Sequence, residues 1–374
     1  MTDRICTEAF GLLFRTLLLC TFSIVPGARA QQPATNRVPE SGSSAKAAIP
    51  SEGFHEDLTS LGLQGSTLQP QTPFLLERTD ILNGKYFRER IQVGWRPHDT
   101  FDLYVALPKG VKNPPVILYL YSFPESASRF QSEQWYEGVA KDGYAAVGFV
   151  SALTAERAEH RARDEWFVGL LQESLAASVH DIQMILNYLS SRGDLGMDRV
   201  GMFGTGSGAT IAILASAVDA RIKAIDVFNP WGDWPVWAAK SWVIPEEERG
   251  NDLKTNKYID PKFLEIVAPL DPIRWLPNVK ARSLRIQSVQ SEATAPADTE
   301  TKIAQAAPNR AEINQFKDYR VWMSIQHGPE IFGWLRQQLQ PDAQSGSLES
   351  RVKRMHFFST DSKGPESISP RPNH

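Results

Sequence analysis

A glycine-rich segment in the middle of the chain, residues 198–209, most constrains how the sequence can fold. Its apolar first half, which includes Val200, Met202 and Phe203, is typical of a buried strand. Three closely spaced glycines follow, and residues 209–217 then form a run of small and apolar residues that is typical of a helix packed tightly behind the strand. Because glycine permits positive φ angles and close backbone contacts, we predict a strand, a tight turn and a helix in that order.

Strand and helix patterns alternate through the rest of the central region. An antiparallel pair of strands is predicted at residues 86–95 and 101–107, with the turn at His98 and Asp99. This alternation predicts the α/β class, with a mostly parallel sheet flanked by helices on both faces. The remaining strands are predicted at residues 114–121, 144–150, 222–228, 283–289 and 319–325, and helices at 131–142, 175–189, 209–217, 299–307 and 329–339.

The glycine-rich segment resembles the nucleophile elbow of the α/β-hydrolase superfamily, in the branch of dienelactone-hydrolase-like and prolyl-oligopeptidase-like enzymes. Gly204 and Gly208 match the flanking glycines of the family motif G-x-S-x-G, and Gly206 stands where the family has its nucleophilic serine. In element order the resemblance extends over about residues 80–340. It implies the α/β-hydrolase fold with a degenerate elbow.

The nucleophile is the first residue that the resemblance leaves open. Gly206 has no hydroxyl, and the nearest one on the helix side belongs to Ser207. If the turn is shifted by one residue, Thr205 and Ala209 become the small flanking residues and Ser207 becomes the nucleophile. If it is not shifted, the elbow carries no nucleophile.

The other two triad members follow from the family's chain order of nucleophile, acid and histidine. His327 comes directly after a predicted strand and before a predicted helix, where the family has its general base. Glu292 lies in the loop after the 283–289 strand and matches the position of the acid, with Asp298 and Asp233 as further candidates. An ordinary turn histidine and a surface carboxylate are the alternative interpretations of His327 and Glu292.

The oxyanion hole of the family is built from backbone amides. By the resemblance, one amide belongs to Ser207, and the other to Ser122 or Phe123 in the loop after the 114–121 strand. The His-Gly type of sequence that the family usually has in this loop is replaced here by Tyr121, Ser122 and Phe123.

A tryptophan-rich stretch, residues 229–276, is predicted to form a cap-like insertion over the site. Trp231, Trp234 and Trp237 either line an apolar substrate pocket there or form the core of a small helical excursion.

Three functions are compatible with these residues. The first is a serine hydrolase that cleaves an ester or amide bond through an acyl-enzyme and needs no cofactor or metal. The second is a non-catalytic protein of the same fold that binds a small molecule or peptide. The third is a dinucleotide-binding protein, because Gly204, Gly206 and Ala209 match G-x-G-x-x-A and Asp226 ends the next strand.

The first thirty residues are typical of a signal peptide. Basic residues precede an apolar run over residues 16–25, and small residues lead to Ala30, after which we predict cleavage and export to the periplasm or the medium. The apolar run is shorter than the ~20 residues of a membrane span, so none is expected in the mature chain. Cys6 and Cys20 both lie in this segment, which leaves the mature chain without disulfides.

The predicted organisation places one globular domain between two irregular segments. A flexible spacer is predicted at residues 31–75, the domain at 76–340 and a disordered tail at 341–374. The formal net charge of −3 and the lack of basic runs before the tail argue against nucleic acid as a partner.

Overall fold

A computed structural model describes residues 53–123, 127–154, 157, 167–241, 243, 261–289, 295–326 and 332–340. The predicted signal peptide, the predicted tail and two predicted triad members, Glu292 and His327, lie outside the described residues.

The described residues form a nine-stranded sheet. Its order is β1-β2-β3-β5-β4-β6-β7-β8-β9, in which β1, β2, β3 and β5 pair antiparallel and the strands from β5 to β9 pair parallel. The mostly parallel sheet that the sequence predicts is thereby confirmed. The strands are β1 Phe74–Ile81, β2 Tyr86–Arg96, β3 Asp99–Pro108, β4 Pro115–Leu120, β5 Ala145–Gly148, β6 Gly196–Thr205, β7 Ile222–Phe228, β8 Ser283–Val289 and β9 Glu312–Phe316.

Helices cover both faces of this sheet. Along β4, Leu118 packs in the same buried cluster as residues of α3 and α4, whereas Tyr119 packs with residues of α2 and α10. The side chains of a strand alternate between faces, so β4 is buried from both sides. The helices are α1 Ser128–Gln131, α2 Glu133–Val139, α3 Phe167–Arg192, α4 Ser207–Val218, α5 Trp234–Lys240, α6 Pro261–Val267, α7 Pro272–Trp275, α8 Ala297–Ala306, α9 Tyr319–Gln326 and α10 Gly333–Gln338.

One predicted strand is wrong. Residues 319–325 form α9 instead, and the last strand is β9, which precedes it. Trp322 is buried in α9 while Tyr319 and Val321 are exposed, which is the single apolar stripe of a surface helix. The alternating aromatic and aliphatic residues of this segment suggest a strand only when tertiary packing is ignored.

The described part of the predicted spacer is packed against the domain, so the prediction of flexibility is wrong for residues 53–75. Leu61 is buried in the main cluster. The carboxylate of Glu56 contacts the guanidinium of Arg96 and, at 2.7 Å, the Nδ1 of His180. These contacts anchor the segment to α3, on which His180 lies.

A buried ionic cluster holds β2, α3 and the loop after β5 together. The carboxylate of Asp181 accepts hydrogen bonds from Arg96, from Arg157 at 2.7 Å and from the indole of Trp95 at 2.7 Å. Burial alone would raise the pKa of Asp181, but the charges of Arg157 and Arg96 outweigh it and lower the pKa to about 2.

Candidate active site

The turn between β6 and α4 has its apex at Gly206. Gly206 has φ 52° and ψ −118°, a backbone conformation that glycine adopts with little strain. Its amide donates to the carbonyl of Phe228 on β7, and its carbonyl accepts from the amide of Thr210. The positive φ falls on Gly206 and Ser207 is already the first residue of α4, so the backbone matches the unshifted frame.

The two flanking glycines allow neighbouring backbone to pass closely. A Cβ on Gly208 would lie 2.2 Å from the carbonyl oxygen of Leu120 at the end of β4. A Cβ on Gly204 would lie 2.5 Å from the carbonyl oxygen of Gly208. Both distances are far below van der Waals contact, so the structure confirms Gly204 and Gly208 as the flanking pair of the elbow.

The side chain of Ser122 occupies the space beside the apex. A Cβ built on Gly206 would lie 2.2 Å from the Oγ of Ser122 and 3.2 Å from the Nε1 of Trp231. The sequence prediction assigned only a backbone role to Ser122 and missed this contact. The replacement of the family's His-Gly by Tyr-Ser in this loop is the one signal in the sequence that pointed to it.

The hydroxyl of Ser207 is bonded to the loop after β4. Ser207 is fully buried, and its Oγ accepts a hydrogen bond of 2.9 Å from the amide of Phe123. Its own amide donates to the Oγ of Ser122 at 3.3 Å. The hydroxyl thus ties α4 to the loop after β4.

The three amides predicted for the oxyanion hole all have partners within the chain. The amide of Ser122 donates to the Oγ1 of Thr205 at 3.0 Å, and that of Phe123 to Ser207. The amide of Ser207 points at a side-chain hydroxyl, that of Ser122. It is the one predicted donor that faces the apex, since Ser122 occupies the space there.

The three tryptophans of the predicted cap are buried and pack against one another. Trp231, Trp234 and Trp237 are each at most 2% exposed. The ring of Trp237 lies 4.8 Å from that of Trp231 and 5.6 Å from that of Trp234, between centroids. The carbonyl of Trp231 accepts from the hydroxyl of Thr210 at 2.6 Å, but its indole Nε1 has no hydrogen-bond partner among the described residues.

The two further acid candidates form ion pairs near the cap. Asp233 lies 2.7 Å from the Nζ of Lys302, and Asp298 contacts Lys240. Asp271, at the start of α7, accepts hydrogen bonds from the backbone amides of Asp233, Trp234 and Ile273. Burial raises the pKa of Asp271.

The geometry of Asp226 argues against the dinucleotide alternative. Asp226 is fully buried, and its carboxylate accepts two hydrogen bonds from Arg285 and one from Gln287. Both oxygens are engaged, so the carboxylate has no free oxygen for a ribose hydroxyl.

The described part of the chain offers neither a metal centre nor a membrane span. No group of three histidine, cysteine or acidic side chains converges there as a metal site. None of the helices described combines the length and the apolar character that a bilayer crossing requires.

Comparisons with known proteins show likeness in structure alone. No family model and no curated protein sequence matches the chain. Among solved structures, acetyl xylan esterase from Paenibacillus sp. R4 superposes with a TM-score of 0.55 at 14% identity, covering 71% of this chain and 89% of the esterase. Acetyl xylan esterase 1 from Thermoanaerobacterium sp. JW/SL YS485 gives a TM-score of 0.53 at 12% identity, with the same two coverages, 71% and 89%.

A peptidase shares the same core. The acylaminoacyl peptidase of Pyrococcus horikoshii superposes with a TM-score of 0.50 at 15% identity, over 76% of this chain and 44% of the peptidase. At such low identity the likeness defines the fold, and it agrees with the sheet order and the glycine elbow described above. The chain has the α/β-hydrolase fold.

Proposed function

We propose that this protein is an exported hydrolase that cleaves an ester or amide bond through an acyl-enzyme formed on a serine beside the β6–α4 turn. One observation carries the proposal: serine hydroxyls lie at the elbow although the apex is glycine. Ser122 and Ser207 both have their hydroxyls within hydrogen-bonding distance of backbone amides of the turn and the β4 loop. A hydroxyl that can carry an acyl group thus lies beside the backbone amide at the start of α4.

The proposed chemistry assigns one role to each part of the turn. A serine hydroxyl attacks the carbonyl carbon of the substrate, and His327 accepts the proton and later delivers it to the leaving group. Glu292 orients His327 and stabilises its charged form. The amide of Ser207, at the positive end of the α4 dipole, donates to the oxyanion.

The proposed substrate is a small molecule or peptide with an ester or amide carbonyl. The names of the superposed proteins, two acetyl xylan esterases and an acylaminoacyl peptidase, support this class of bond. The proposed export rests on the signal-peptide pattern that ends at Ala30. No cofactor or metal enters the proposed reaction.

A second candidate function, binding without catalysis, is favoured by a specific observation. Gly206 supplies no nucleophile, and the amides of Ser122, Phe123 and Ser207 are all satisfied within the chain. A protein that only binds its ligand has no need of a free oxyanion donor.

The two candidates are separated by burst kinetics with p-nitrophenyl acetate and an aminoacyl p-nitroanilide. The proposal predicts a rapid release of about one equivalent of chromophore per chain, which is lost when Ser122 and Ser207 are both changed to alanine. Ser216→Ala is a matched control, because Ser216 is a buried serine of α4, the helix of Ser207, and its hydroxyl donates within that helix, to the carbonyl of Ile213. A parent chain with no more release than the double variant would favour binding without catalysis.

A further inference from the structure

We infer that Ser122, in the loop after β4, is the nucleophile of this site and replaces the serine that the apex lacks. The inference rests on the proposed function and assigns the acyl-carrying residue within it. It moves the reacting hydroxyl from the β6–α4 turn to a different strand end.

The position of the Ser122 hydroxyl is the first argument. The Oγ of Ser122 lies 2.2 Å from the place where a side chain on Gly206 would begin. A serine at the apex would put its own hydroxyl one bond length beyond that place, in the same small volume. The hydroxyl of Ser122 therefore occupies the space in which an apex serine would react.

The orientation of Ser122 is fixed by the sheet and by hydrogen bonds. Leu120, at the end of β4, pairs in register with Gly204 of β6, which brings the following loop against the turn. The amide of Ser122 then donates to Thr205, while its Oγ donates to the carbonyl of Phe123 at 3.1 Å and accepts from the amide of Ser207. A hydroxyl held in this way has lost most of its freedom before substrate arrives, which is the usual condition for an efficient nucleophile.

Accessibility separates Ser122 from Ser207. Ser122 is partly exposed, whereas Ser207 is fully buried. The Oγ of Ser207 also serves as the acceptor for the amide of Phe123. An attack by Ser207 would require a bond at the buried start of α4 to break, whereas the bonds of the Ser122 hydroxyl, to the carbonyl of Phe123 and from the amide of Ser207, lie in a partly exposed loop.

Two N–H donors converge beside the Ser122 hydroxyl. One is the amide of Ser207 at the start of the twelve-residue helix α4. The other is the indole Nε1 of Trp231, which is fully buried and finds no partner in the described part of the chain. It lies 3.2 Å from the apex Cβ position.

A buried donor without a partner is costly unless something else binds it. The family's second oxyanion amide, that of Phe123, is held at 2.9 Å by a buried acceptor, the Oγ of Ser207, whereas the amide of Ser207 donates over a longer 3.3 Å to the reacting hydroxyl itself. The indole of Trp231 takes its place as the second oxyanion donor.

The step balances with the groups named. The Ser122 Oγ forms a bond to the carbonyl carbon as its proton passes to the general base of the proposed function. The bond from carbon to the leaving oxygen or nitrogen breaks, and that atom takes the proton. Water then attacks the acylated Ser122, gives a proton to the base and releases the carboxylic acid, and the proton returns to Oγ. No oxidant or further reactant is needed.

The test measures the rate of fluorophosphonate labelling by intact mass, on the full chain. Ser122→Ala is expected to label at least ~100-fold more slowly than the parent, and Ser216→Ala at the parental rate. Ser207→Ala keeps the backbone amide but loses the bond to Phe123, so its labelling should slow by a smaller factor than that of Ser122→Ala. If Ser207→Ala abolishes labelling and Ser122→Ala does not, the inference is overturned while the proposed function stands.

A second variant covers the case in which Ser122→Ala does not fold, as judged by its thermal midpoint. Trp231→Phe keeps a ring in the core and removes only the indole N–H, and it should slow labelling by ~10- to 100-fold. An unchanged rate would contradict the role of Trp231. A parent chain that is not labelled at all would overturn the proposed function, and the inference with it.

Discussion

A serine placed on the apex should destabilise the protein, and removal of the Ser122 side chain should relieve part of the cost. In Gly206→Ser the new Cβ would lie 2.2 Å from the Oγ and 2.7 Å from the Cβ of Ser122. Overpacking of this kind costs about 1–3 kcal/mol, and a side chain at the positive φ of Gly206 costs about 1–3 kcal/mol more. The single variant is therefore expected to lose about 2–6 kcal/mol of unfolding free energy.

The double variant Gly206→Ser/Ser122→Gly keeps the backbone strain and removes the clash. Its free energy of unfolding should exceed the value calculated by adding the effects of the two single substitutions by about 1–3 kcal/mol, which is the coupling expected of two residues in contact. Chemical denaturation of the parent, both single variants and the double variant gives this number directly. The same cycle with Ser216→Ala should be additive, since Ser216 lies nine residues further along α4 than Ser207. Additivity in the Ser122 cycle would refute the claim that Ser122 fills the apex space.

Three further predictions concern the framework of the site. Asp226→Asn should lower the free energy of unfolding by about 3–5 kcal/mol, because it leaves the buried guanidinium of Arg285 without its partner charge. Asp298→Asn breaks an exposed ion pair and should leave the free energy of unfolding unchanged. Equal effects of the two substitutions on chemical denaturation would contradict this. Asp181 has its pKa lowered to about 2 from an ordinary 3.8, so its contribution of about 2 kcal/mol is complete above pH 4 and is lost as the pH falls toward 2. The free energy of unfolding of Asp181→Asn should therefore fall less steeply with falling pH than that of the parent. An equal slope would show that Asp181 does not contribute to the acid sensitivity. Gly208→Ala should lower the thermal midpoint severely, because its Cβ would lie 2.2 Å from the backbone of Leu120; a midpoint near the parental value would show that the flank is not tightly packed.

The fold could be predicted where the apolar pattern is strong. Strands β4 and β7 are buried along almost their whole length, and their short apolar runs define them. Strands β1 and β9 were missed, because both are largely exposed at the edges of the sheet and carry few apolar residues on a buried face. The helix α9 was predicted as a strand for the converse reason, since its apolar residues alternate locally.

The site could be predicted only in part. The three glycines of the turn are local in sequence, and their spacing predicts the elbow and its empty apex. Ser122 lies 85 residues before Ser207, and its approach depends on the pairing of β4 with β6. No local pattern encodes that contact. The sequence could not predict the unpaired indole of Trp231 either, because burial and hydrogen-bond partners are properties of the folded chain.

The most direct test of the central claim is a peptide map of the unmodified protein after fluorophosphonate labelling. Trypsin separates the candidates, because Ser122 lies in the peptide of residues 113–129 and Ser207 in that of residues 200–221. The account predicts a single adduct in the first peptide, located on Ser122 by fragmentation. An adduct on Ser207, or none, would contradict it.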